Sequence, residues 1–192
     1  MDKIGRRLVA KSSASQGGYT YNFHLLNDDK TVNAFALPGG QVFLTRALLR
    51  RLKTESGIAG VLGHEIGHVV ARHGAQHLAK EQLTQGVIQA VAVGSESQGV
   101  AQMAAAIGNM VNMKYGRGDE IESDALGVRF MAEAGYDPRG MLEVMEALAA
   151  LSKGSKQPEF FSTHPNPENR IPKIKAAIQK QFPGGIPAGL ER

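Results

Sequence analysis

Residues His64-Glu65-Ile66-Gly67-His68 constrain this chain more than any other stretch. Residues four apart on a helix sit one turn above each other on the same face. Two imidazoles placed that way can bind one tetrahedral metal, and Glu65 can reach a water on that metal. The spacing therefore predicts a helix here and requires a third ligand from elsewhere in the chain. The helix is expected to start near Thr54, with Ile58, Val61, Leu62 and Val69 as its apolar stripe. Gly63 and Gly67 inside it each cost about 1 kcal/mol relative to alanine. Two such losses four apart imply a face closely approached by a neighbouring helix or sheet.

The chain has 192 residues, 42% hydrophobic and 21% charged, which suits one globular domain with a sizeable core. It contains no cysteine, so any zinc must rest on histidine and carboxylate. The net charge is +4, but the basic residues are scattered. Only Arg50-Arg51-Lys53 and Lys173-Lys175-Lys180 are grouped, and these read as solvated helix faces. With no tryptophan and 6% aromatics, stacking platforms for nucleic acid are scarce, and no nucleic-acid partner is expected. No segment reaches the ~18 apolar residues of a membrane span. The nearest stretch, Gly86 to Met113, is broken by Ser95-Glu96-Ser97-Gln98, and the N-terminus lacks a signal-peptide apolar region.

Along the chain, Tyr19, Tyr21, Phe23 and Leu25 alternate with polar residues as in a strand. Asn27-Asp28-Asp29-Lys30 reads as a turn, with residues 31–36 as the returning strand. Pro38-Gly39-Gly40 makes a second turn before a short strand at Gln41-Val42-Phe43-Leu44. From Thr45, an N-cap, the pattern is helical. Helices are expected at about 76–92 and 98–114, and from Asp119 to Ala134, where Asp119 and Glu122 resemble a capping box and Gly135 is the stop. Another helix follows Asp137-Pro138 to about Ser152, and a last one begins after a loop ending at Pro165, capped by Asn166. The reading is a small antiparallel sheet followed by a mainly helical body, an α+β arrangement. Residues 1–182 make a single domain and 183–192 a loose tail. His73 and His77, four apart around an expected face change at Gly74, read as surface histidines. Met103, Met110 and Met113 read as core.

The helix after Asp119 offers Glu120-Ile121-Glu122-Ser123-Asp124. Glu120 and Asp124 share a face, whereas Glu122 lies about 200° around from Glu120. Glu120 is the preferred third ligand. Asp124, one turn on, would accept the other ring proton of a ligating histidine, and Gly127 on the same face permits close approach.

Four segments in order resemble peptidase family M48: residues 33–47, His64 to His68, Glu120 to Asp124, and Ser162-Thr163-His164-Pro165-Asn166-Pro167. The resemblance is closest to soluble bacterial members and weakest at residues 1–18 and 183–192. It implies a zincin-like (gluzincin) fold with an active-site helix, a glutamate ligand on a later helix and an edge strand over the cleft. The family's Glu-x-x-x-Asp glutamate, the third zinc ligand, falls on Glu120. The resemblance also points to the bacterial cell envelope or periplasm. The spanning helices and helical repeats of some relatives are missing here, so their membrane topology and partners do not carry over.

The expected activity is that of a zinc metalloendopeptidase, with one Zn2+ per chain, cleaving unfolded or misassembled proteins. Zinc polarises the scissile carbonyl, and Glu65 takes the water's proton and returns it to the leaving amine. The developing oxyanion needs another donor. His164, held before Pro165 in a stiff turn, is the first candidate and Arg170 the second. His164 equally suits a resting ligand that blocks the metal. Asn33, Ala34, Phe35 and Ala36 are the expected substrate edge, where an extended peptide adds as a strand beside small residues. The rival reading is a zinc-bearing, chaperone-like binder of unfolded chains with an occluded site, which would have no use for Glu65.

Overall fold

Thr54 starts the helix on which the rest of the molecule packs. The computed structural model describes residues 1–89, 108–109, 114–152, 159–165 and 170–192, with backbone alone for 82–89 and 152. The elements are α1 (Asp2–Lys11), a 3-10 turn (Ser13–Gly17), β1 (Asn22–Leu26), β2 (Ala34–Leu37), β3 (Gln41–Thr45) and α2 (Arg46–Leu49). They are followed by α3 (Glu55–Val70), α4 (His73–Gln89), α5 (Arg117–Glu133), α6 (Arg139–Ser152), α7 (Phe160–Thr163) and α8 (Arg170–Gln181). The α+β class holds. No helix among the described residues is long and apolar enough to cross a membrane.

Thr54 caps α3 by accepting from Gly57 N at 3.0 Å. Every residue of α3 from Ser56 to Val69 is buried except half-buried Ile58. The helix is therefore central rather than striped, covered by α5, α6, α1 and the sheet. Its glycines make this possible. A Cβ on Gly63 would stand 3.3 Å from Gly127 Cα, and one on Gly67 would stand 2.9 Å from Ser123 O. The close neighbour expected from Gly63 and Gly67 is α5, and the two backbones touch. Gly67→Ala gains helix propensity but forces α5 away, so we expect a net loss of about 1–3 kcal/mol in urea denaturation. An unchanged midpoint would mean that α5 yields at no cost.

The sheet order is β1-β3-β2, and the expected all-antiparallel sheet is corrected. β2 and β3 form the antiparallel hairpin closed by Pro38-Gly39-Gly40, with Gly39 and Gly40 at φ of 95° and 102°. β1 pairs with β3 in parallel, Phe23 opposite Val42. The polar segment after β1 does not fold back as a hairpin, because its groups are tied elsewhere. Asp28 Oδ1 accepts from Lys30 N and Thr31 N, and Asp28 O accepts from Ala47 N at the start of α2. The chain thus crosses to the far side of β3.

One boundary and one element also differ from expectation. α5 begins at Arg117, and Asp119 lies inside its first turn, where Oδ2 accepts from Gly116 N at 2.9 Å. α1, unread in the sequence, buries Ile4, Gly5 and Leu8. Gly135, at φ 80°, ends α5 as expected. In the segment expected as a loose tail, Glu191 exchanges main-chain hydrogen bonds with Gly135 and Asp137. Most of the helix expected at 98–114, the three core methionines and the Asn166 cap lie outside the described residues.

Candidate metal centre

His64 and His68 leave α3 on one face, and their Nε2 atoms stand 3.0 Å apart. The Gly63–Gly127 contact brings α5 close enough for Glu120 to face both. Its Oε1 is 3.3 Å from His68 Nε2 and its Oε2 is 3.6 Å from His64 Nε2. His164, at the end of α7, completes the group. Its Nδ1 lies 3.1 Å from Glu120 Oε1 and 3.3 Å from His64 Nε2. One donor atom from each of these four residues lies within 4.8 Å of the others, and all four residues are buried. Imidazole nitrogens and a carboxylate oxygen aimed at one buried point fit a divalent metal. Burial holds His68 well below the usual imidazole range, in the neutral form a metal needs.

Asp124 and Arg170 stand behind these donors. His64 Nδ1 donates to Asp124 Oδ1 at 2.9 Å, leaving Nε2 bare. Arg170, expected among the substrate-binding groups, has no exposed surface. Its Nε and Nη2 donate to Asp124 at 2.8 and 2.6 Å, and its Nη1 donates to Glu120 Oε2 at 2.7 Å. The guanidinium is thereby committed to two carboxylates rather than turned toward a cleft. Burial raises the Asp124 carboxyl, but the hydrogen bond from His64 and the Arg170 charge outweigh it and hold it below the usual range.

Glu65 is fully buried, and neither carboxylate oxygen has a hydrogen-bond partner. His164 Nε2 stands 3.5 Å from Oε1, an ion-pair distance too long for a good hydrogen bond. Burial raises the Glu65 carboxyl above its usual range, against the opposing charges of His164 and His64. His164 in turn stacks on Phe160, with centroids 4.5 Å apart.

The expected substrate edge, Asn33 to Ala36, runs along β2 beside α3. β2 is an edge strand among the described residues, and it packs on α3. Ala34 and Ala36 turn inward, while half-buried Phe35 stacks on Phe43 with centroids 4.9 Å apart. Thr45 N donates to Asn33 O, so the antiparallel alternation leaves the main-chain groups of Ala34 and Ala36 pointing away from β3. The Ala34 N–H is taken by Asn33 Oδ1 at 2.9 Å, and Val32 O accepts from Phe160 N at 3.0 Å. Ala36 lines a cleft with His68 and Tyr115.

Two neighbours of His68 were missed. Tyr115 stacks on its ring, with centroids 3.9 Å apart and 21° between planes; nothing in the local sequence signals it. His73 corrects the surface reading: it is 3% exposed, with Nδ1 3.0 Å from His68 Nδ1. Five residues along a continuous helix would carry it about 140° around. α3 instead ends at Val70, and Arg72 adopts φ 60° before α4 starts, which turns His73 back. His77 is half-buried, with Nε2 2.9 Å from Asp119 Oδ2.

A central helix bearing two histidines around a free buried glutamate, with a glutamate donor from a second helix, defines the class of metallopeptidases. The description Peptidase family M48 matches residues 1–178, and the chain belongs to that family. It is 34% identical over 194 residues to the beta-barrel assembly-enhancing protease of Yersinia pestis, covering 95% of this chain and 39% of that protein. The protein of the same name from Escherichia coli strain K12 is 34% identical over 193 residues, with the same coverage. The mitochondrial metalloendopeptidase OMA1 of Schizosaccharomyces pombe is 33% identical over 177 residues, covering 91% of this chain and 51% of that protein. The chain thus spans two fifths to half the length of these relatives.

Proposed function

We propose that this domain is a zinc-dependent endopeptidase that hydrolyses internal bonds of unfolded or misassembled polypeptides. The observation that carries the reading is the buried convergence of His64, His68 and Glu120 beside a Glu65 whose carboxylate accepts no hydrogen bond. Two imidazoles and a carboxylate, in a chain without cysteine, suit zinc. These three residues would hold it, and the bound metal supplies Lewis-acid activation of water and of the scissile carbonyl.

Glu65 accepts the attacking water's proton and delivers it to the leaving amine. Its raised carboxyl favours both halves of that cycle, because a stronger base is also an acid closer to neutral pH. Asp124 keeps His64 in the tautomer with a bare Nε2, and Arg170 holds Asp124 and Glu120 in place. A substrate strand adds along the outer edge of β2 through the Ala36 main chain and the Ala34 carbonyl, reading main chain more than side chain. That suits extended, unfolded segments, and relatives named for enhancing β-barrel assembly support misassembled proteins as substrates.

His164 belongs to the resting state in this reading. With Nδ1 among the donors and α7 hydrogen-bonded to Val32 at the start of the substrate edge, residues 159–165 keep peptide out. Their withdrawal would free His164 to face the oxyanion. This closed arrangement also favours the second reading, a zinc-holding binder of unfolded chains.

The test is casein digestion before chelation, after chelation and after zinc is restored, with bound zinc measured in parallel. We expect one zinc per chain and internal fragments that vanish and return with it. A chain that binds no zinc contradicts the proposal. Stoichiometric zinc with casein retained but never cut selects the binder.

A further inference from the structure

His73 is a buried histidine with an ordered set of partners. Its Nδ1 faces His68 Nδ1 at 3.0 Å, and Ser123 Oγ lies 3.3 Å from the same nitrogen. Its Nε2 lies 3.4 Å from Glu122 Oε2 and 3.8 Å from Asp119 Oδ1. Asp119 is itself held from two sides, by Gly116 N and by His77 Nε2, each at 2.9 Å.

These contacts permit one proton arrangement once His68 serves as a metal ligand, the reading on which this inference rests. A His68 that offers Nε2 to a metal carries its proton on Nδ1. That proton points at His73 Nδ1, which can accept it only if His73 keeps its own proton on Nε2. There, carboxylates are waiting. The Ser123 hydroxyl rotates and imposes no competing order. We infer that His73 is a positioning residue that fixes the tautomer and ring orientation of His68 through a neutral imidazole, passing the hydrogen bond outward to Glu122, with the Asp119 carboxylate beside it.

The two ligating histidines are thus supported differently. His64 leans directly on the Asp124 carboxylate, whose charge Arg170 balances. Among the described residues, the carboxylates on the His68 side pair with histidines: Glu122 with His73, and Asp119 with His73 and His77. Glu65, Glu120 and Asp124 already crowd the centre with buried carboxylates. A fourth placed directly against His68 would be costly to bury. An interposed imidazole keeps the directional bond and moves the acid out one ring, to where Glu122 is 61% exposed and Asp119 26%.

The test is zinc affinity by competition with a chromogenic chelator, for wild type, His73→Leu and His73→Asn. Alongside it, 15N-histidine NMR of the zinc-loaded wild type reads the tautomers. We expect His73→Leu to bind zinc about 10–100-fold more weakly. His73→Asn should keep most of the affinity, because its amide oxygen stands where Nδ1 stands and accepts the same bond. The NMR should show His73 protonated on Nε2 and His68 on Nδ1. Should the leucine variant not fold, the wild-type spectrum decides, and a His73 proton on Nδ1 overturns the inference. Unchanged affinity in His73→Leu overturns it as well, while leaving the zinc reading intact. A wild type that binds no zinc overturns the metal centre itself and this inference with it.

Discussion

Glu65→Gln is expected to lower the rate of peptide cleavage by about 10²- to 10⁴-fold, the range typical of losing a positioned general base. The substitution keeps shape and removes basicity. An amide cannot accept the water's proton at neutral pH, so neither the attack nor the departure of the amine is assisted. Zinc content should not fall, because Glu65 is not one of the four converging donors. Stability should hold or rise. Glu65 is fully buried with two unbonded oxygens, and a neutral amide is less costly there than a carboxylate. The measurement is fragment release from casein by both proteins at equal zinc loading, with their melting midpoints compared. Cleavage by the variant at the wild-type rate would remove Glu65 from the mechanism. A variant that loses both zinc and activity would make Glu65 part of the donor set.

Arg170→Leu is expected to destabilise the metal-free protein by about 3–5 kcal/mol, the cost of leaving buried carboxylates without their charge partner. The guanidinium makes three hydrogen bonds to Glu120 and Asp124, and nothing around it is solvent. Arg170→Lys should recover only part of this, since one ammonium cannot reproduce a planar fork across two acids. Saturating zinc should narrow the gap, because a cation beside Glu120 replaces some of the lost charge and stabilises by mass action. The pH dependence has a definite sign. Asp124 is held below its unfolded value, so its contribution is fully present above about pH 4 and is lost as pH falls through the folded value. The leucine variant should therefore show a shallower acid limb in urea midpoints. A variant within about 1 kcal/mol of wild type without metal would mean that Glu120 and Asp124 are protonated or rearranged at little cost.

Short spacings carried much of the candidate centre. His64 and His68 four apart, and Glu120 and Asp124 four apart, each define one helix face from sequence alone, because the helical repeat is local. The glycines at 63 and 67 announced a close neighbour, since a helix tolerates that loss only where a backbone must approach. Thr54 and Gly135 marked helix ends through capping chemistry that involves only residues next to them.

Long-range packing decided the rest. The parallel pairing of β1 with β3 depends on where Asp28 anchors the chain, not on the alternation of Tyr21, Phe23 and Leu25. Arg170 reads as a candidate donor to the oxyanion until α8 lays it against α5, where it meets two buried acids. His73 reads as solvent-exposed while the helix is imagined to continue. The left-handed Arg72 ends that helix and folds His73 onto His68. Periodicity reports which residues share an element's face. It carries no information about the turn angle between elements, and that angle brought His73, Arg170 and His164 to the centre.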